Sequence, residues 1–490
     1  MEPLAEALRL RPDSQEALWL RGVLSIELGR FEEGVPHVAH LIELAPEEIR
    51  PRLLLGALLE ALGRVDEAVA QYREVLRRHP DQRDALLVLG KLALQAEDDA
   101  VARPIIERLV ARYPAHAGAQ ILRGRLYARG GAYREALLAL QSAVRLDPSS
   151  TEAQYVLGAL YAEVGRADLA RRHLETALLL VPDNGPSILL LGLLATDEKR
   201  TEEALVYFER AAALMPDDAR AHFRLGEARQ YVREMDAAEE ALRTALTLTP
   251  ELPEARLQLG ILYLETWRNE AALAELTRAA TLDPDNAVIR RQLGRAALAV
   301  GDELAARSEL EAALRLDPFL VEAYLALGNL LVRQGESESG RDLLLRFREL
   351  QRSEAEIETR LARLSEAPDD AAARREHLSL LLAEGRHEQA LDTVRGWMVG
   401  SRWLCGDLSA AYRDALPGAA DPGAVLLGLG SLLVECGDAA NAITYLEQAR
   451  LSSAPSLELL LALARAYDRT GQADVAARWR AEAEALRPPQ

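Results

Sequence analysis

Small, apolar and helix-breaking positions recur along this chain with one spacing, 34 residues. Glycine holds one phase: Gly22, Gly56, Gly90, Gly124, Gly158, Gly192, Gly226, Gly260, Gly294 and Gly328. Alanine holds a second, among them Ala68, Ala102, Ala136, Ala170, Ala204, Ala238, Ala272 and Ala306. Proline holds a third, from Pro12, Pro46 and Pro80 to Pro284 and Pro318. Proline is about one residue in twenty in ordinary proteins, so this register is not chance. Repeats of this length point to stacked supersecondary units.

Each phase has a physical reading. Proline cannot continue a helix and marks the end of a unit. A glycine inside a helix costs about 1 kcal/mol against alanine. Repeating that cost implies that another helix approaches too closely for a side chain, and the alanines do the same from the second helix. A further glycine, at Gly29, Gly63, Gly131, Gly165, Gly301 and Gly335, marks the turn between the two helices. The pattern predicts an all-α chain with two antiparallel helices per 34 residues from Gln15 to about residue 336.

The unit Thr151-Glu-Ala-Gln-Tyr-Val-Leu-Gly158-Ala-Leu-Tyr161, followed by Gly165, Ala170, Ala177 and Pro182, closely resembles the tetratricopeptide repeat. The match runs from Gln15 to about Glu354 and resumes more loosely to the end. The family's first Trp position is not kept: Leu18, Arg52, Gln120, Gln154 and His222 stand there. The resemblance implies a right-handed superhelical solenoid of roughly a dozen hairpins, whose first helices line an inner groove. Four segments follow: residues 1–14, a partial repeat; 15–336, the regular array; 337–370, a long helix and linker; and 371–490, degenerate repeats ending in a cap helix. Residues 3–11 read as a second helix without a first, so either the natural chain is longer or this stub is a cap.

After Gly335 no proline stops the second helix, which is predicted to run to about Leu364. Leu343, Phe347, Leu350, Ile357, Leu361 and Leu364 fall at heptad spacing, with Glu354 breaking the stripe. Two readings stand: a brace against flanking repeats, or a coiled-coil contact that makes a homodimer. Beyond it, Gly385 and Ala390 keep phase, residues 405–422 break the register, and better repeats begin at Gly423 and Leu457.

Charge and composition narrow the function. A net charge of −19 argues against nucleic acid and against an anionic membrane surface. No apolar run approaches the ~18 residues of a membrane span. The start, Met1-Glu2-Pro3-Leu4-Ala5, shows no signal peptide; the cytoplasm is the default expectation, and the periplasm if the chain extends upstream. Cys405 and Cys436 are the only cysteines; two free thiols are expected, with one disulfide the alternative. No phosphate-binding loop, dinucleotide fingerprint or nucleophile elbow occurs. His37 and His40 share a helix face, and His377 and His387 straddle a turn, but neither pair has the company a metal needs. Acidic pairs such as Asp217-Asp218, Asp369-Asp370 and Glu239-Glu240 read as helix starts and solvated faces. No catalytic residue, metal or cofactor is expected, and the chain is not read as an enzyme.

What the resemblance implies instead is a partner in the groove. Carried onto this chain, the family's groove positions give a row of Trp19, Leu53, Leu87, Ile121, Tyr155, Leu189, Phe223, Leu257, Arg291 and Leu325. One turn on lie, among others, Lys91, Arg125, Glu227, Arg295 and Asn329, then Arg129, Glu163, Asp197, Tyr231, Glu265 and Arg333. The clamp that grips chaperone C-termini is absent, since Leu53, Leu87 and Ile121 replace it, and so is the asparagine ladder of the glycosyltransferase arrays. The expected function is a scaffold that binds a protein or peptide. Lys91, Arg125 and Arg129, with Glu163 as their only evident neighbour, suggest that the partner carries an acidic group; Arg291, Arg295 and Arg333 form a second patch that Glu265 could neutralise. The alternative is the non-catalytic repeat region of a larger enzyme or regulator.

Overall fold

The structure, a computed structural model, describes residues 2–367, 370–398, 405–419, 421–452 and 456–486. Among these residues there are helices and turns and no strand. From Gln15 the helices alternate as predicted, Gln15–Glu27 with Phe31–Leu44, Ile49–Ala61 with Val65–Arg78, and so on every 34 residues to Val321–Arg333 with the helix that begins at Ser337. The chain is an all-α repeat solenoid.

The punctuating prolines sit two residues past the last residue of the second helices, as Pro46 after Leu44 and Pro148 after Leu146. Asp147, the last residue before Pro148, has φ −140° and ψ 88°, the extended backbone that a following proline imposes. The first-helix glycines stand where a second helix closes in. A Cβ on Gly124 would lie 2.5 Å from Leu140 Cγ, and one on Gly260 equally close to Leu276 Cγ. Ala136, Ala238, Ala272 and Ala306 are fully buried on the facing helices. Gly158 is likewise buried.

The turns share one device. Gly29, Gly63, Gly131, Gly165, Gly301 and Gly335 all have positive φ, between 66° and 90°. At the same register the remaining repeats place Glu97, Lys199, Arg233 and Trp267, also left-handed, with φ between 57° and 68°. The backbone of the turn is therefore set by the hairpin, and the residue must comply.

The chain falls into two compact units, Met1–Leu160 and Tyr161–Gln490. In the first, helix Glu2–Leu10 precedes the array and packs on Gln15–Glu27. Side chains of successive repeats merge into continuous clusters, such as Leu58, Tyr72, Val75 and Leu89, because one hairpin alone cannot bury its apolar face.

In the second unit the long helix is Ser337–Glu366, 30 residues. Leu350, Ser353, Ile357 and Leu364 are buried, and Ile357 shares a core with Leu378, Leu381, Ala390 and Leu429. Ile357 therefore packs on the C-terminal repeats of its own chain, as the bracing reading expects, while Leu343 packs on the preceding repeats with Leu310, Leu327 and Leu331, and Leu361 is 43% exposed. The irregular stretch from residue 405 is not without structure: it forms helix Cys405–Ala415 and a 3-10 turn at Leu416–Gly418. The helices Pro422–Cys436, Ala439–Ser452, Leu457–Arg469 and Ala473–Ala485 complete the unit.

The cysteine expectation needs correction. Cys436 is disulfide-bonded, and no free cysteine occurs among the described residues. Cys405 is the sequence's one other cysteine, and its side chain lies outside them. Cys405 begins one helix and Cys436 ends the next, and these two helices pack together. An antiparallel hairpin brings such ends close, a proximity that linear spacing hides. Of the acidic pairs, Asp369 lies outside the described residues. Asp370 and Asp218 cap helix starts by accepting from the backbone amides of Ala372, Ala373 and Arg220.

Candidate binding surface on the first helices

The family's lost Trp position turns out to have a job. Gln120 Nε2 donates to the carbonyl of Pro114 at 2.7 Å, and Gln154 Nε2 to that of Pro148 at 3.3 Å. In the second unit His222, Arg256, Arg290 and Tyr324 do the same to Pro216, Pro250, Pro284 and Pro318. Each bond reaches back six residues and satisfies a carbonyl of the loop that enters the helix. Sequence reading saw only a missing tryptophan; the common feature of these residue types is a donor on a long side chain.

The predicted row of groove residues is more deeply packed than expected. In the first unit Trp19, Leu53, Leu87 and Tyr155 are half-buried and Ile121 is buried against Ala143 and Ala153. In the second, Leu189 and Leu257 are half-buried, Phe223 is buried in the core, and Leu325 is 38% exposed. Neighbouring first helices lie against one another, so this position is shared between a repeat contact and the open face.

Most of the cationic residues pair with acids within the chain. Lys91 Nζ is 3.0 Å from Glu60, and Arg125 is 3.0 Å from Glu152. Arg129 bonds Asp99 at 3.3 Å and donates to the carbonyl of Leu94. The expectation of an unfilled anion site at these three residues is therefore corrected: acids from adjoining repeats, at spacings a linear reading does not pair, already occupy it. In the second patch Arg291 pairs with Glu322 at 3.3 Å, Arg295 bonds Gln292 at 2.8 Å, and Arg333 approaches Glu303 at 4.0 Å. Glu265 pairs with Arg233 instead, at 3.2 Å. Asn329 is exposed.

The same face is drier than open solvent. Burial raises the Glu227 carboxyl above its ordinary range, against the opposing pull of Arg224, which bonds it at 2.7 Å. Burial also raises Asp197 and draws the Arg291 guanidinium down. Outside this face, His40 is held by Asp13 at 2.9 Å and Glu43 at 3.3 Å, which raise its pKa, while burial lowers that of its neighbour His37. Among the described residues no group of His, Cys, Asp and Glu is arranged to hold a metal, and no helix is long and apolar enough to cross a membrane.

Sequence profiles of the tetratricopeptide repeat match residues 53–117, 92–151, 223–287 and 291–355, and a second profile of the same repeat matches 127–193. Together these cover more than half of the chain. The chain belongs to the tetratricopeptide repeat family. No curated protein sequence matches it. Solved structures do. A structure of pilF from Pseudomonas aeruginosa is 24% identical, covers 46% of this chain and 99% of its own, and has a TM-score of 0.41. YrrB, described as a tetratricopeptide protein with an unusual peptide-binding site, is 24% identical over 38% of this chain and 95% of its own, with a TM-score of 0.32. Human IFIT1 covers 84% of this chain and 91% of its own at 16% identity and a TM-score of 0.42. These likenesses concern the fold. Arrays of this family are protein-interaction scaffolds, and this tetratricopeptide chain has that architecture throughout the regular repeats.

Proposed function

We propose that the chain is a scaffold that holds a protein or peptide partner on the face built by its first helices. The observation that supports this most is the ladder itself. In each unit most repeats present one position, Trp19, Leu53, Leu87 and Tyr155 in the first and Leu189, Leu257 and Leu325 in the second, where a side chain is half in the core and half open. One turn further along, half of the repeats add a charged or polar group, such as Arg125, Glu227 or Asn329. A partner with its own repeating backbone can meet such a ladder with one apolar contact per repeat. Lys91, Arg125 and Arg129 are paired with acids of adjoining repeats, so apolar contacts dominate there and the partner needs no acidic group to meet them.

Peptide-display selection on the intact chain tests the proposal. Selected peptides should lose about tenfold in affinity when Leu189→Ala and Leu257→Ala are combined, since about 1.4 kcal/mol is a factor of ten. Arg125→Glu with Arg129→Glu should matter less and chiefly change the salt dependence. Selected peptides that bind all of these variants equally well would place the partner on another surface and end the proposal.

A further inference from the structure

Trp267 occupies a position that its side chain does nothing within the chain to justify. It sits at the turn between two helices with φ +62°, the left-handed conformation for which six other repeats use glycine at the same register. That conformation disfavours any residue with a Cβ. The other three non-glycine residues at this register each have an ion pair: Glu97 with Arg129, Lys199 with Glu358 and Arg233 with Glu265. Trp267 is 85% exposed and makes no ring or hydrogen-bond contact through its indole among the described residues. In the preceding repeat, Tyr231 is 73% exposed near the same kind of turn.

The surroundings give the indole a specific counterpart. The next residue, Arg268, reaches Glu239 at 2.7 Å. Glu239 lines an open cleft of about 430 Å³ along the helix Met235–Leu248, together with Asp236, Glu240, Arg243, Thr244 and Thr247. Arg243 and Arg268 both pair with Glu239, which leaves Asp236 and Glu240 without an ion-pair partner among the described residues. Trp267 thus stands one residue from Arg268, which bonds the cleft residue Glu239, and the three carboxylates Asp236, Glu239 and Glu240 outnumber the guanidiniums of Arg243 and Arg268, so the site stays net negative. An indole is the best side chain for a cation–π contact with arginine or lysine, and the flanking carboxylates favour the same sign. A second copy of this chain, at −19, meets the cleft with the wrong charge.

We propose that Trp267 and the cleft beside it, with Asp236 and Glu240, form a docking surface for a basic segment of a partner protein, separate from the first-helix face. An arginine or lysine stacks on the indole and a following basic residue meets Asp236 or Glu240.

The probe is a fluorescein-labelled oligo-arginine peptide, with an oligo-glutamate peptide of equal length as control, titrated into the full chain and read by anisotropy. The decisive variant is Trp267→Gly, which suits the left-handed backbone and so keeps or raises the melting temperature. It should weaken oligo-arginine binding about fivefold to tenfold. Trp267→Phe should lose less, and Asp236→Asn with Glu240→Gln should weaken binding and flatten its salt dependence. Leu257→Ala, on the first-helix face, should leave it unchanged. Equal affinity for Trp267→Gly overturns the proposal, as does equal binding of the acidic peptide. A lower melting temperature in Trp267→Gly assigns the indole a structural role and overturns it too. Self-association that Trp267→Gly abolishes puts a second copy there instead.

Discussion

The glycine inside each first helix offers a sharp test of what holds the array together, and Gly260 is the best place to make it. Replacing it with alanine adds one carbon atom. That atom would sit 2.5 Å from Leu276 Cγ, 2.9 Å from Cδ2 and 3.2 Å from Cδ1. Carbon atoms rest at ~3.5–4.0 Å, so Leu276 must retreat by about 1 Å. It has little room, being fully buried in one cluster with Leu259, Leu262, Ala272 and Ala279. Overpacking of this kind costs about 1–3 kcal/mol. Against it stands the helix propensity of alanine over glycine, about 1 kcal/mol in the other direction. The net expectation for Gly260→Ala is a loss of up to about 2 kcal/mol, and leucine at the same place should lose more. Leu276→Ala alone should cost about 2–5 kcal/mol. In that background the new methyl enters space already vacated, so Gly260→Ala should become neutral or stabilising by up to about 1 kcal/mol. A long repeat array does not unfold in two states, so the readout is local. Amide hydrogen exchange in the helices Pro253–Glu265 and Asn269–Leu282 follows the opening of this hairpin. If Gly260→Ala strengthens protection in the parent chain, or if the two changes simply add, the close approach is not what keeps glycine there.

Other expectations follow from the same packing. Glu97→Gly relieves a left-handed residue with φ 57° and should stabilise its hairpin by about 1 kcal/mol, whereas Gly301→Ala, at φ 85°, should cost about 1–2 kcal/mol; amide protection of the helices flanking each turn should move in opposite directions. Gln120→Ala leaves the Pro114 carbonyl without its donor and should lose about 1–3 kcal/mol, seen as faster amide exchange at the start of helix Ala117–Arg129. Ile357→Glu should loosen the C-terminal repeats while Leu361→Glu is tolerated, and a loss of mass in light scattering with Leu361→Glu would favour the dimer reading. His377 is 1% exposed and its pKa is lowered, first by burial and then by Arg360. The folded state therefore holds the proton less tightly than the unfolded chain. Its stability is intact above the ordinary histidine pKa of about 6.5 and falls as pH drops below it. Protection factors of helix Ala371–Ala383, taken against the intrinsic exchange rate at each pH, should fall between pH 7 and pH 5.5, and His377→Leu should flatten that dependence.

The sequence by itself determined the repeat, its length, the order of helices and the close helix contacts. Proline, glycine and alanine each act through a local constraint: a missing amide proton, a missing Cβ, a small side chain. Local constraints that recur in one register are legible in a linear string. The long helix was legible for the same reason, since nothing near residue 350 stops it. Other features were settled only when the repeats were stacked. Lys91, Arg125 and Arg129 read as free cations until Glu60, Glu152 and Asp99 arrived from adjoining hairpins. Gln120, Gln154 and His222 read as a lost motif until their reach to the preceding loop was seen. The heptad stripe on helix Ser337–Glu366 gave two readings, because periodicity shows that a face is apolar and not what covers it; in the fold Ile357 is covered by the C-terminal repeats and Leu343 by the preceding ones. Trp267 carried no signal at all in the string. Its meaning depends on a backbone angle and on an exposure, and both are properties of the folded hairpin rather than of the residues beside it.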